Sequence, residues 1–200
     1  MCIVSAKHCH PLVNLLKLIN KCYVDNCVPL LIQQNIDGSY DFNRSWAEYK
    51  VGFNDTRGNF WLGNDLLSQL TLSGHYKLRF DLQSRNHTSN WYSAEYSTFK
   101  VLSETDKYRM QVAGYSGNAG NAFGTDMHND QKFSTYDRDN DGWRLNCAKR
   151  EGGGFWYRDC ASADVNSARN NEHGPTRSFG WDNLPGGRLL QSSRMWLQCK

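Results

Sequence analysis

Residues 133–160 read FSTYDRDNDGWRLNCAKREGGGFWYRDC. Three acidic residues alternate in this stretch, at Asp137, Asp139 and Asp141. Calcium takes six to eight oxygen ligands at once, and alternating carboxylates on an irregular loop can supply several of them. A solvated acidic turn would have the same composition, so the pattern alone leaves both explanations open. An EF-hand is excluded, because a loop starting at Asp137 would have Ala148 instead of a bidentate glutamate at its twelfth position.

The same stretch contains two cysteines, Cys147 and Cys160, on either side of three consecutive glycines. A short Gly-rich loop between two cysteines favours a disulfide, which would stabilise the fold by about 3 kcal/mol. Two free buried thiols or a catalytic cysteine are the alternatives. A Cys/His enzyme needs a histidine held close to the thiol. His128 and His173 are expected on surface loops and come with no accompanying catalytic pattern.

Composition narrows the possible functions. The 200 residues carry a net charge of +3 and are 39% hydrophobic and 13% aromatic, which suits one domain whose core uses large rigid side chains. There is no dense Lys/Arg run, so nucleic-acid binding has little support. No stretch approaches the roughly 20 apolar residues of a membrane span. The sequence has no G-x-S-x-G or H-E-x-x-H motif and no phosphate-binding glycine loop, so an enzyme is not expected.

Residues 1–28 differ in character from the rest of the chain. Within them, PLVNLLKLIN predicts a short amphipathic helix or a weak signal-peptide core, and a truncated or spliced-in N-terminus is favoured over a genuine signal peptide. The total of seven cysteines is odd, so at least one is free or paired between chains. The cysteines outside the central pair, whose pairing the sequence does not specify, are Cys2, Cys9, Cys22, Cys27 and Cys199.

Period-two alternation gives the firmest secondary-structure prediction. In HYKLRFDLQS, residues 75–84, apolar and polar side chains alternate, which is typical of a half-buried antiparallel strand. Further strands are predicted at 30–36, 91–103 and 106–116, short helices at 41–49 and 65–72, and a buried aromatic segment at 59–63. Asn64 or Asp65 is the expected N-cap of the second helix. Core positions are predicted for Trp46, Trp61 and Trp91.

The order of these elements, with helices before most strands, favours an α+β fold with an antiparallel sheet. Loops are predicted from Gly114 to about Asn183, and a loop region of that length needs a ligand or a disulfide to stay ordered. Three sequons permit N-glycosylation if the chain is secreted. They begin at Asn43, Asn54 and Asn86.

Seven segments, in this order, resemble the fibrinogen C-terminal-like domain family, which includes ficolins, tachylectins, angiopoietins and the fibrinogen chains. They are DGSYDFNRSWAEYKVGF, GNFWLGND, YKLRFDL, AEYSTFKV, YRMQVAGYSGNAGNAF, FSTYDRDND and NCA…GGGFWYRDC. The resemblance implies a globular α+β domain with a central antiparallel sheet and a loop-rich C-terminal subdomain that binds calcium and the ligand. We therefore assign residues 29–200 to this domain, truncated at its N-terminal subdomain, and residues 1–28 to a divergent N-terminal segment.

The resemblance also implies roles for individual residues. Asp139 and Asp141 match the family's two side-chain ligands of Ca²⁺, and Trp143 and Leu145 match the positions that offer main-chain carbonyl oxygens. Asp137 would add negative charge close by. The family's C-terminal disulfide falls on Cys147 and Cys160, and a peptide bond that is often cis in the family falls at Asp159–Cys160.

The match to the family's ligand pocket is poor. Ala161 stands where acetyl-binding lectins of the family have a histidine, and Glu151 stands where they have an aromatic residue. The segment at 163–169 also departs from the family's Asn-Leu-Asn-Gly-x-Tyr pattern. The candidate pocket residues are Glu151, Trp156, Tyr157, Ala161, Arg177 and Trp181. For Phe155, Trp156 and Tyr157 a place in the core is the alternative to a ligand wall, and in a domain this aromatic the core is the default for Trp156.

The function implied by the resemblance is a secreted, extracellular, calcium-stabilised lectin that binds carbohydrate, of the innate-immune or agglutinin type. The alternative is a protein-binding ligand or adhesion domain of the angiopoietin or fibrinogen type. Either partner would be met at a cell or pathogen surface. The cysteines of residues 1–28 offer a route to an oligomer.

Overall fold

The structure, a computed structural model, describes residues 29–72, 74, 76–167 and 179–200. In these ranges strands are numbered β1 to β11 and α-helices α1 to α3 along the chain, with one 3₁₀ helix at Glu104–Asp106. The elements are β1 Leu30–Asn35, α1 Trp46–Val51, β2 Phe53–Asn54, β3 Phe60–Trp61, α2 Asn64–Leu72, β4 Tyr76–Ser84, β5 Trp91–Val101, β6 Met110–Gly117, β7 Phe133–Ser134, α3 Cys147–Glu151, β8 Phe155–Trp156, β9 Ala163–Asp164, β10 Gly180–Trp181 and β11 Leu190–Cys199.

One seven-stranded antiparallel sheet dominates the described residues, in the order β2-β3-β1-β11-β4-β5-β6. The predicted strand at 75–84 is confirmed as β4, in which Tyr76, Leu78, Phe80 and Leu82 are at most 2% exposed. With the helices α1 and α2, the sheet confirms the α+β fold class.

The last strand of the chain, β11, is a central strand that the sequence did not lead us to predict. It pairs with β1 on one side and β4 on the other, so that Met195 lies opposite both Gln33 and Phe80. Its sequence, LQSSRMWLQC, lacks strict alternation, and its register with β4 shifts between Leu190 and Ser192. That irregularity hides the strand from a period-two search.

Helix α1 begins five residues later than predicted, at Trp46 rather than residue 41. The start is set by a capping box, in which Ser45 and Glu48 each accept from the other's backbone N–H. Helix α2 begins one residue early, with Asn64 inside the helix. There the Asn64 side chain accepts a hydrogen bond from the Trp61 indole at 3.0 Å.

The tryptophan predictions hold for two of three residues. Trp46 and Trp61 are buried in the core, at 7% and 1% exposure. The prediction for Trp91 is wrong, because its side chain is 41% exposed and stacks on the guanidinium of Arg194, 4.8 Å from the ring centroid. Trp91 is the first residue of β5, where the sheet no longer covers it.

In the region between β6 and β11, the residues that the structure describes form only short elements. Two strand pairs of two residues each, β7–β8 and β9–β10, and the five-residue helix α3 are its regular structure among the described residues. Its aromatic residues nevertheless extend the core under the sheet, where the Trp181 ring packs 4.8 Å from that of Phe80.

Candidate functional site

The acidic loop, which carries Asp137, Asp139 and Asp141 and ends at Asn146, follows strand β7. Strand β7 pairs with β8, and Phe133 lies opposite Trp156. Asn140 folds back onto this pair: its side chain donates to the Phe133 carbonyl at 2.8 Å, and its backbone N–H donates to the Ser134 hydroxyl at 2.9 Å. Farther along, the Gly142 N–H donates to the Arg158 carbonyl at 2.8 Å. The loop backbone is therefore fixed at both flanks by the protein itself.

Asp137 is bound to the neighbouring helix. Its Oδ1 accepts hydrogen bonds from the backbone N–H of Trp46 at 2.9 Å and from the hydroxyl of Thr135 at 2.7 Å. The first of these bonds satisfies one of the N-terminal amides of α1 that have no partner within the helix. Asp137 thus joins the start of the acidic loop to α1, a role that the sequence did not reveal.

Asp141 lies half-buried at the centre of the loop. Its two carboxylate oxygens accept from the backbone N–H groups of Trp143 and Cys147, both at 2.9 Å. Burial raises the pKa of Asp141 to about 6, and the adjacent charge of Asp139 acts in the same direction against the two amide hydrogen bonds. A cation at this place would offset both the cost of burying the negative charge and the repulsion between the two carboxylates.

The residues proposed for calcium carry oxygen atoms of the kind that the ion prefers. The carbonyl oxygens of Trp143 and Leu145 accept no hydrogen bond from any described residue, so both retain free lone pairs. Together with the carboxylates of Asp139 and Asp141 they form an all-oxygen set, the kind that calcium prefers. Among the described residues, no three His, Cys, Asp or Glu side chains cluster as a metal site. The proposed set needs only two.

A disulfide joins Cys147 and Cys160, whose Cα atoms lie 5.4 Å apart. Cys147 is the first residue of α3, and the Asn146 side chain caps this helix by accepting from the Lys149 N–H. Cys199 at the end of β11 is also disulfide-bonded. The other cysteines, Cys2, Cys9, Cys22 and Cys27, lie outside the described residues.

Four of the candidate pocket residues have almost no exposed surface. Trp156, Tyr157 and Trp181 are 0% exposed, and Glu151 is 4% exposed. The two indoles donate to main-chain carbonyls, Trp156 to that of Tyr108 at 2.7 Å and Trp181 to that of Gly120 at 2.9 Å. The three aromatic side chains therefore form part of the core in this structure. Ala161 is half-buried beside them, and Arg177 lies outside the described residues.

Asp164 is a fully buried carboxyl to which the sequence patterns above assign no role. Its Oδ1 accepts from the N–H groups of Asn166 and Ser167 at 3.0 Å, and its Oδ2 lies 2.8 Å from the Tyr157 hydroxyl. Burial raises the pKa of Asp164 to about 7, and the negative charge of Glu151 adds to the rise. The signal in the sequence is the run Asp164-Val165-Asn166-Ser167, since Asp, Asn and Ser are typical of turns in which an Asp side chain binds the N–H groups that follow it.

His128 lies in the core, so the prediction that it is a surface residue is wrong. Its Nδ1 lies 2.7 Å from the Trp156 carbonyl and must carry the proton, because a carbonyl only accepts. Its Nε2 then accepts from the N–H groups of Ala163 at 2.9 Å and Ser162 at 3.2 Å. Burial lowers the pKa of His128 to about 4, which keeps the ring neutral. His173 lies outside the described residues.

The remaining sequence predictions concern the surface and the backbone. Asn43, Asn54 and Asn86 are all exposed, as glycosylation would require. The Asp159–Cys160 peptide bond is trans, as are the other peptide bonds that the structure describes. Among the described helices, none has the length and apolar character needed to cross a membrane.

Comparison with known sequences gives the context of this loop. The family model for the C-terminal globular domain of fibrinogen beta and gamma chains matches residues 19–197. The fibrinogen beta chain of Gallus gallus is 42% identical over 71% of this chain and 36% of its own length. Ficolin-3 of Homo sapiens is 38% identical over 84% of this chain and 56% of its own length. The chain thus spans about a third to a half of these curated relatives.

Solved structures share the fold. The fibrinogen-like globe domain of human ANGPTL6 superposes with a TM-score of 0.76 and 32% identity, covering 85% of this chain and 77% of that domain. A lamprey fibrin D-dimer complexed with the peptide Gly-His-Arg-Pro-amide superposes with a TM-score of 0.74 and 31% identity, covering 84% of this chain and 60% of the other.

Proposed function

The chain belongs to the fibrinogen C-terminal globular domain family, and we propose that it is an extracellular, calcium-stabilised recognition module without enzymatic activity. The observation that carries this proposal is the loop at 139–147. This one segment carries two neighbouring carboxylates, two main-chain carbonyls that accept no hydrogen bond from a described residue, and a disulfide-bonded cysteine. An extracellular location is supported by the disulfide, which persists in oxidising compartments.

Calcium would be held by the carboxylates of Asp139 and Asp141 and by the carbonyls of Trp143 and Leu145. When bound, the ion supplies positive charge that offsets the two carboxylates. The chain contributes the rest: Cys147 and Trp143 hold the Asp141 side chain through their amides, and Asn140 fixes the entry to the loop. The ion would therefore order a surface that the protein has already partly shaped.

A protein or peptide is the ligand class that we favour. A sugar site is commonly walled by exposed aromatic rings, whereas Trp156, Tyr157 and Trp181 have no exposed surface. Ala161 and Glu151 replace the histidine and the aromatic residue of acetyl-binding lectins of the family. The lamprey fibrin structure holds a peptide, which supports the same class.

Carbohydrate is the second candidate, because human ficolin-3 is 38% identical over most of the chain and the family resemblance includes lectins. A glycan array probed with and without calcium separates the two. We expect no glycan to bind above background. Calcium-dependent binding to acetylated sugars would overturn the protein-ligand proposal and establish a lectin.

A positive test of the favoured class uses the protein as bait on an array of extracellular protein domains and peptides, in calcium and in chelator. We expect binding to at least one protein ligand in calcium, and weaker binding in chelator because the loop at 139–147 loses order. If nothing binds above background on either array, the proposal that this chain is a recognition module is contradicted.

A further inference from the structure

Two large apolar side chains project from the acidic loop into solvent. Leu145 is 54% exposed and Tyr136 is 37% exposed. The backbone segments that carry them are joined, because the side chain of Asn146, the residue after Leu145, donates to the carbonyls of Thr135 at 3.1 Å and Tyr136 at 3.5 Å. Since Asn146 also caps α3, the backbone that carries both residues is fixed. The exposed side chains are therefore carried by a loop whose backbone is hydrogen-bonded to the rest of the protein.

Two exposed cations lie within four residues of Leu145 along the chain. Arg144 directly precedes Leu145, and Lys149 lies on the first turn of α3. Neither makes an ion pair with any described residue. Other cations near the loop are engaged: Arg138 lies 4.2 Å from the Trp46 ring centroid and 3.5 Å from Glu104, and Arg150 lies 5.0 Å from the Trp143 ring centroid. We name Tyr136, Arg144, Leu145 and Lys149 together the loop patch.

We propose that the loop patch docks on an anionic phospholipid surface. Exposed apolar side chains with flanking Lys and Arg are the combination that binds such a surface, because the apolar tips enter the headgroup boundary and the cations meet the anionic headgroups. Tyrosine suits the boundary since its ring is apolar and its hydroxyl is polar. The four side chains of the patch are exposed, which fits a broad surface, whereas an extended peptide would need a groove.

Calcium would strengthen this docking. The carboxylates of Asp139 and Asp141 lie in the same loop as the patch and would repel anionic headgroups. A cation bound between them removes that repulsion, so we expect vesicle binding to depend on calcium. This dependence rests on the calcium site proposed above, whereas the patch itself rests on exposure and charge.

The test is co-sedimentation of the full chain with vesicles of phosphatidylcholine alone or with added phosphatidylserine, in calcium and in chelator. We expect binding only to phosphatidylserine vesicles in calcium. Leu145→Ser keeps the main-chain carbonyl and should reduce the bound fraction at least about fivefold, since one leucine no longer enters the boundary. The combined Arg144→Glu and Lys149→Glu change should abolish binding. Leu72→Ser is the matched control, because Leu72 is 49% exposed at the end of α2 and should bind normally.

Equal binding to the two vesicle types, no binding to either, or an equal loss in Leu72→Ser would overturn the proposal. Binding of soluble polyglutamate without vesicle binding would overturn it in favour of an acidic polypeptide. The melting temperature of the same samples separates the two proposals. A rise with calcium but no sedimentation refutes the lipid surface and leaves the calcium site intact.

Discussion

The seven-stranded sheet and the loop region at 118–167 are stabilised in different ways. In the sheet, apolar side chains alternate along strands such as β4, and the backbone groups pair with each other. In the loop region, polar side chains take the place of strand partners. The His128 side chain binds three backbone groups, the Asn140 side chain donates to the Phe133 carbonyl, and the buried Asn166 side chain donates to the Gly154 carbonyl at 2.9 Å.

This difference has an energetic consequence. The stability of the sheet depends on the apolar area that it buries. One apolar side chain can therefore be replaced by another of similar volume at small cost. The loop region depends on particular donors and acceptors, and removing one leaves a buried partner unsatisfied. We therefore expect the stability of the sheet to depend mainly on the size of its buried side chains. The stability of the loop region should depend on pH and calcium as well.

The largest effect is expected in the sheet. Phe80→Ala removes a fully buried ring that packs on Phe123 and Trp181, and should lower the free energy of unfolding by about 3–5 kcal/mol. Trp91→Ala, in the neighbouring strand, should cost less than about 1 kcal/mol because the ring is 41% exposed. Urea denaturation measures both. Similar losses would mean that Trp91 is a core residue after all.

In the loop region, pH should act through His128. Its pKa is about 4 when folded and about 6.5 when unfolded, so the unfolded state binds more protons between these values. The stabilising contribution is complete above pH 6.5 and is lost as pH falls to 4, by up to about 3 kcal/mol.

The stability difference between wild type and His128→Gln should therefore shrink on acidification. Other titrating groups, including Asp164, are present in both proteins and cancel. Urea denaturation at pH 7 and pH 4.5 measures the difference, with His87→Gln on the exposed turn after β4 as control. A difference that does not change with pH would show that His128 is not neutral in the fold.

Removing the disulfide should destabilise the loop region. The double substitution Cys147→Ser and Cys160→Ser removes the link between two residues that are 13 apart in sequence. It should lower the free energy of unfolding by about 3 kcal/mol in the chain-entropy model. Thermal unfolding of the double variant measures the loss. Modification of Cys147 by a thiol reagent in unreduced wild type would contradict the bond.

Calcium should stabilise the same region. At a concentration one hundred times its Kd, a ligand that binds only the folded state adds about 2.7 kcal/mol, which would raise the melting temperature relative to chelator. Asp139→Ala should remove most of this response, whereas Asp126→Ala, an exposed carboxylate outside the loop, should keep it. Identical melting in calcium and chelator would refute the proposed site.

The smallest effect tests the link between the loop and α1. Asp137→Ala removes the acceptor for the Trp46 N–H and should cost about 1 kcal/mol. Asp137→Asn retains an Oδ1 acceptor and should lower the free energy of unfolding by only about a few tenths of a kcal/mol. If Asn is as harmful as Ala in urea denaturation, the charge of Asp137 is what matters, rather than its hydrogen bond.

The sequence by itself determined what depends on near neighbours. Alternation fixed β4, because period two places every second side chain on one face. The disulfide and the oxygen-rich loop could also be predicted, since the two cysteines are 13 residues apart and the loop residues are consecutive or nearly so. The calcium site and its ligands remain predictions of that same local kind.

Only the tertiary structure decided what depends on distant partners. The position of β11 in the centre of the sheet is set by pairing with strands more than a hundred residues away, not by its own irregular pattern. The burial of His128 requires backbone groups near residues 156 and 163, and the exposure of Trp91 follows from its place at the end of a strand. For these residues, burial or exposure is decided by neighbours that are distant in sequence, which no local pattern encodes.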